Sequence, residues 1–265
     1  MTERLYLRPT MPPADWNAEA YHRVSEPQWN WGLAVLSSLE LAGNETVIDA
    51  GCGTGRLTAI LLERLATGRV IALDSSAAML NVARRELARF DERVAFIEAD
   101  LGRLEVQHLA DVVFSTATFH WVRNHEALAG GLFRALKPGG RVHAQCGGHG
   151  NLAAFLALAT SVATREPFAK HFSGFEYPAN FATPQATKGH FEKAGFEGVE
   201  CWLTPAPTPF ESREALSEFV STVVLRTYLN RLPANLQPAF VEHTIDASPT
   251  PYSLDYVRLE IRAHK

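Results

Sequence analysis

Clusters of basic residues are missing from this chain. Its 25 Lys and Arg are outnumbered by 29 Asp and Glu, the formal charge is −4, and the longest basic run is Arg84-Arg85. Phosphate backbones are met by clustered cations, so no nucleic-acid partner is expected. Cysteine is scarce: Cys52, Cys146 and Cys201 stand far apart with no C-x-x-C pair, which argues against a disulfide framework and for a reducing setting. His125, His143, His149 and His171 lack the spacing of a metal set, and no metal is expected. Long apolar runs are also wanting. The most apolar stretch, 152–163, is interrupted by Thr160 and Ser161, and the opening MTERLYLRPTMPP lacks the continuous apolar segment of a signal peptide. The expectation is a cytoplasmic chain without membrane contact. Oligomeric state cannot be read from these patterns.

Apolar residues make up 46 % of the 265, enough for one large domain or a domain with an added subdomain. Between Thr46 and Cys146 short β-branched runs alternate with segments of helical period, the signature of a parallel sheet with crossover helices. Five strands are expected: at Val47-Ile48, at 70–73, at 94–97, at 112–114 and at 141–146. Helical stripes fall between them: Leu57, Ile60, Leu61 and Leu65; then Met79, Val82, Ala83, Leu87 and Phe90; then Leu128, Leu132 and Leu136. Asn124 is the expected N-cap of the third, and Lys137-Pro138-Gly139-Gly140 its stop. Trp29, Leu33, Leu36 and Leu39 predict a helix ahead of the sheet, with another from Asp15 to Val24. Beyond the core, helices are expected at Pro184–Ala194 and over 211–229, with strands near 199–203 and over 252–261.

The segment Val47-Ile48-Asp49-Ala50-Gly51-Cys52-Gly53-Thr54-Gly55 runs from a strand through G-x-G-x-G into a helix. Glycines let the backbone approach a ligand, and the helix N-terminus offers N–H groups to an anion; the plainer reading is a tight βα turn. Asp74 ends the second strand nineteen positions after Gly55, where a carboxylate can accept from both hydroxyls of a ribose. The plainer reading there is a helix cap, a role Ser75 could also fill. A nicotinamide dinucleotide would suit much of this pattern, but dinucleotide loops read G-x-G-x-x-G/A, and here Arg56 takes the sixth place. A shorter, monoanionic ligand fits better.

Four motifs in order, VIDAGCGTG, ALDSSAAML, EADL and LKPGGRV, resemble those of the class I S-adenosylmethionine-dependent methyltransferases over Val47 to Cys146. The resemblance implies an α/β fold: a Rossmann-like, seven-stranded, mostly parallel sheet with helices on both faces, its last strand antiparallel. A helical lid would come from 148–183 and 210–247. The implied organisation is an N-terminal helical cover over 1–44, a cofactor-binding core over 45–147, and the remaining sheet with lid insertions over 148–265. By the same likeness Asp49, Gly51, Cys52, Gly53 and Gly55 would surround the methionyl part of S-adenosyl-L-methionine. Asp74 would hold the ribose, Ser75 and Met79 would flank the adenine, and Asp100 beside Leu101 would accept from its amino group. Ser115 and Thr116 would complete the cofactor set.

The stretch from Ser115 to Trp121 leaves the fourth strand where a parallel sheet opens toward its ligands. Its His120-Trp121 pair resembles small-molecule carboxyl methyltransferases, including the trans-aconitate group, as do Trp16-Asn17 with Tyr21 and the late Leu232-Pro233. That likeness makes His120 and Trp121 the candidate catalytic residues. Trp16, Tyr21, Gln28 and Trp29 join them at the substrate side, and a small-molecule carboxylate becomes the expected acceptor. Methylation at O, N or C of another metabolite, and a binding protein that has lost turnover, stay open. Phe155, Phe168, Phe172, Phe175 and Tyr177 read either as an apolar acceptor pocket or as core.

Overall fold

The computed structural model describes residues 18–19, 25–250 and 252–265. Its centre is a seven-stranded sheet of β1 (Thr46–Ala50), β2 (Arg69–Asp74), β3 (Val94–Glu98), β4 (Ala110–Thr116), β5 (Leu136–Gly147), β6 (Glu197–Pro205) and β7 (Val257–His264). The spatial order is β3-β2-β1-β4-β5-β7-β6, parallel as far as β5, with β7 antiparallel to both its neighbours. This is the sheet that the four motifs imply.

Helices follow the expected rhythm: α1 (Glu26–Ser37), α2 (Arg56–Arg64), α3 (Ala77–Glu86), α4 (His125–Ala135), α5 (Ala153–Ala163) and α6 (Pro184–Ala194). Strand alternation feeds two cores. Val112 and Phe114 of β4 pack with Leu36, Leu61 and Leu87 on one face, while Val113 packs with Leu128, Leu132 and Phe191 on the other. Asn124 caps α4 by accepting from the Ala127 N–H at 2.9 Å, and Ser76 caps α3 by accepting from Met79 N–H at 3.2 Å.

Three expected elements differ. Leu136 belongs to β5 rather than to α4, because the chain turns extended there and pairs with Ala110 before a register shift at Lys137–Gly140 rejoins the ladder at Val112 and Arg141. The helix expected over 211–229 is three pieces, α7 (Arg213–Phe219), a π-helical turn (Val220–Val224) and α8 (Arg226–Leu229). The segment 252–261 is likewise divided: Ser253–Leu254 pairs with Thr208–Pro209 in a small separate sheet before β7 begins. With α9 (Gln237–Asp246), these later elements enclose a third apolar cluster that includes Phe155, Phe168, Phe219, Tyr228 and Phe240.

Candidate active site

All the parallel strands end at one edge, and because β7 runs the other way its first residues arrive at that same edge. Arg258 stands opposite Gly147, and Glu260 opposite Gln145. Behind β1 the turn is tied to β2 by Gly51 and Cys52, whose N–H groups donate to the Leu73 carbonyl at 2.7 and 3.0 Å. Gly51 has φ +86°, and a Cβ there would lie 2.1 Å from Thr118 Oγ1. Gly53 has φ +55°, and a Cβ there would meet no protein atom within 4 Å. Gly55 faces Leu87 and Ala83 instead, so its missing side chain serves the approach of α2 to α3 rather than the ligand side.

Asp74 ends β2 with both oxygens aimed at backbone: the Gly53 N–H donates to Oδ2 and the Ser76 N–H to Oδ1, each at 2.9 Å. Ser76, not Asp74, caps α3, which leaves Asp74 committed to the glycine turn. Burial pushes its carboxyl above the usual range against the downward pull of those N–H groups. Asp49 is buried and accepts from Thr58 Oγ1 at 2.6 Å; burial raises its carboxyl to about 7 despite that bond.

A cleft lies over this turn, lined by Gln28, Trp29, Asp49, Gly51, Gly53 and Thr116, with Cys52 beside them. The cleft thus brings together Asp49, Gly51, Cys52, Gly53 and Thr116 of the expected cofactor set. Ser115 is fully buried below the cleft and donates to the Ala50 carbonyl at 2.6 Å, stitching β4 to β1. Met79 and Leu101 are buried, and exposed Asp100 accepts from its own Gly102 N–H at 2.8 Å. Exposed Ser75 follows Asp74 at the strand end. Trp16 and Tyr21 lie outside the described residues.

A second cavity shares Gln28 and Ala117 with the first and is lined by His120, Trp121, Tyr177 and Arg258. Ala117, at the junction, has φ +54°, a strained backbone for a residue with a side chain, and its N–H donates to the Gln145 carbonyl at 2.8 Å. Gln28 reaches the same junction with a buried Oε1 that has no hydrogen-bond partner among the described residues.

His120 is buried between Trp121 (ring centroids 4.9 Å apart) and Phe181 (5.6 Å). The Gly147 N–H donates to its Nδ1 at 3.2 Å. Burial first, and then the Arg258 charge, hold this imidazole well below its usual pKa, so it is neutral. A neutral ring that accepts at Nδ1 carries its proton on Nε2, and it meets the cavity as a donor.

Arg258 was not anticipated from the sequence. It is 2 % exposed, its guanidinium lies 4.5 Å from the Trp31 ring, and its Nε donates to Gln145 Oε1 at 3.2 Å. Gln145 is oriented in turn by donating from Nε2 to Glu260 Oε1 at 2.6 Å. Of the five aromatic residues read as pocket or core, Tyr177 lines the cavity, while Phe155 and Phe168 belong to the third core and Phe172 and Phe175 pack against it.

Residues 47–140 match the family model of a methyltransferase domain. The chain is 29 % identical over 230 residues to a trans-aconitate 2-methyltransferase of Variovorax paradoxus, spanning 86 % of each chain. The chain carries a methyltransferase domain. A trans-aconitate 2-methyltransferase of an Azoarcus species is also 29 % identical, over 90 % of this chain and 92 % of its own. Among solved structures, a methyltransferase of Bacillus halodurans superposes with TM-score 0.60 at 17 % identity, covering 88 % of this chain and 98 % of that one. The phosphoethanolamine N-methyltransferase 2 of Haemonchus contortus, in complex with S-adenosyl-L-methionine, superposes with TM-score 0.61 at 21 % identity over 94 % of this chain and 56 % of its own. These structural likenesses concern the fold.

The residues of this methyltransferase fit its cofactor. Gln28 Oε1 is a buried acceptor still to be matched, which an ammonium group would satisfy. Gly53 leaves room that a Cβ would fill, and the Asp74 oxygens, each already taking one N–H, keep lone pairs for hydroxyl donors. No helix among the described residues is long and apolar enough to cross a membrane.

Proposed function

We propose that this methyltransferase converts a small carboxylic acid to its methyl ester. The observation that carries the reading is the bond from the Gly147 N–H to His120 Nδ1, which makes His120 a donor in the acceptor cavity and unfit to take a proton. A hydroxyl or ammonium acceptor must lose a proton, whereas a carboxylate with a reference pKa near ~4 arrives ionised. Similarity to enzymes named for trans-aconitate supports the same acceptor class.

S-adenosylmethionine supplies a methyl group made electrophilic by its positive sulfur. Asp74 and the glycine turn hold the nucleoside and methionyl ends, with Gln28 and Ala117 at the boundary where the two cavities meet. His120 donates from Nε2 to an acceptor oxygen, and Trp121 and Tyr177 wall the cavity and exclude water. Leu152, Val223 and Val224, from the segments around α5 and α8, line its other side and act as the cover expected from the later part of the chain.

The test is incubation with methyl-labelled donor and a panel of small acids, alcohols and amines, trans-aconitate included. The reading expects label that mild base releases as methanol. Label found only in base-stable products would overturn it.

A further inference from the structure

We propose that Arg258 selects the acceptor by its charge: the guanidinium at the wall of the second cavity takes the carboxylate of the acid that is methylated. The inference rests on the carboxylate reading and adds the residue that recognises the group.

Three features place the guanidinium for this task. Topology brings Arg258 to the ligand edge through the antiparallel β7, opposite Gly147, which brings no side chain of its own. Burial fixes it there at 2 % exposure, and it lines the same cavity as His120, Asn151 and Tyr177. A relay then sets its orientation: Glu260 accepts from Gln145 Nε2 at 2.6 Å, which turns the amide oxygen of Gln145 toward Arg258 Nε at 3.2 Å. The Trp31 ring lies 4.5 Å from the guanidinium carbon. The amide oxygen and the indole face orient the fork. A buried cation on a cavity wall favours an anionic guest over a neutral one of equal shape, because the charge interaction is weakly screened there. The fork of an arginine also suits the planar carboxylate better than an ammonium would.

The experiment compares wild type with Arg258→Met and Arg258→Lys. The probe is the acid of the panel with the highest kcat/KM, starting with trans-aconitate, together with the primary amide of the same acid as a competing ligand. Binding of S-adenosylhomocysteine within about 2-fold of wild type certifies the fold and the cofactor cleft. The expected result for Arg258→Met is a rise in KM for the acid of about 30-fold or more, the factor of a lost charge-assisted bond, with a smaller change in kcat. Inhibition by the amide should move less than about 3-fold, a split that a merely structural role would not produce. Should Arg258→Met fail to fold, Arg258→Lys decides, with an expected KM rise of roughly 10-fold from loss of the fork. Unchanged KM, or equal losses for acid and amide, overturns the assignment and leaves the ester reading standing. A wild type that esterifies no acid overturns both.

Discussion

His120 and Gly147 are joined by a backbone N–H that donates to imidazole Nδ1 across 3.2 Å, and this bond decides the chemistry of the acceptor cavity. It requires Gly147 to stay bare, since a Cβ there would stand 2.7 Å from the Phe181 ring that stacks on His120. In the proposed reaction the neutral ring acts as a donor, and the acceptor brings its own negative charge.

The rate should therefore show no limb from His120. Burial depresses its pKa well below 6.5, so the ring stays neutral as pH falls through ~6.5, and kcat/KM for an acid should stay flat from about pH 8 to about pH 6. His120→Ala should lower kcat/KM by about 10- to 100-fold, the loss of one donor to a charged oxygen. A steep fall centred near the ordinary histidine pKa in the wild type would contradict this.

Asp49 makes stability depend on pH in the less usual direction. Its carboxyl is raised from 3.8 to about 7 by burial, so the folded state holds a proton that the unfolded state has lost between those values. Stability falls as pH rises through that window, by up to roughly 4 kcal/mol for such a shift, and the loss is complete above about pH 7. Asp49→Asn keeps an oxygen for the Thr58 hydroxyl and removes the charge. Its Tm should exceed that of wild type at about pH 8, and the gap should close toward about pH 4 in thermal melts across that range.

Asp74→Ala should weaken S-adenosylhomocysteine binding by about 10- to 100-fold in calorimetry, for the loss of bonds to a charged acceptor. The fold should survive, because Ser76 supplies the cap of α3 without it.

The two glycines of the turn should fail in different ways. Gly51→Ala drives a Cβ to 2.1 Å from Thr118 Oγ1 at φ +86°, and should cost roughly 2 kcal/mol or more of stability. Gly53→Ala meets no protein atom and carries only the smaller left-handed penalty of about 1 kcal/mol, so its Tm should hold better while cofactor affinity drops. Melting curves and titrations on the same two variants separate the outcomes.

The core strands and the cofactor turn were legible in the sequence because they are local. A β-branched run and three glycines each declare a backbone need within a few residues, whereas the bond from the Gly53 N–H to Asp74, expected as the ribose acceptor, was not declared by spacing. Gly55 and Ser115 share that motif context, yet their work is packing and strand stitching, which spacing alone does not separate from ligand contact. Arg258 was hidden for another reason. In the alternation Arg258, Glu260, Arg262 it reads like a solvated strand face, and only the antiparallel register of β7 against β5 carries it to the ligand edge and under Trp31.

The most direct test of the donor role of His120 is a nitrogen-detected NMR titration of histidine-labelled enzyme saturated with S-adenosylhomocysteine. The result expected is a His120 resonance pair with its proton on Nε2 and bare Nδ1, unmoved from about pH 8 to about pH 6. A proton on Nδ1, or a ring that titrates within that window, would contradict the account and return the site to base-assisted methylation.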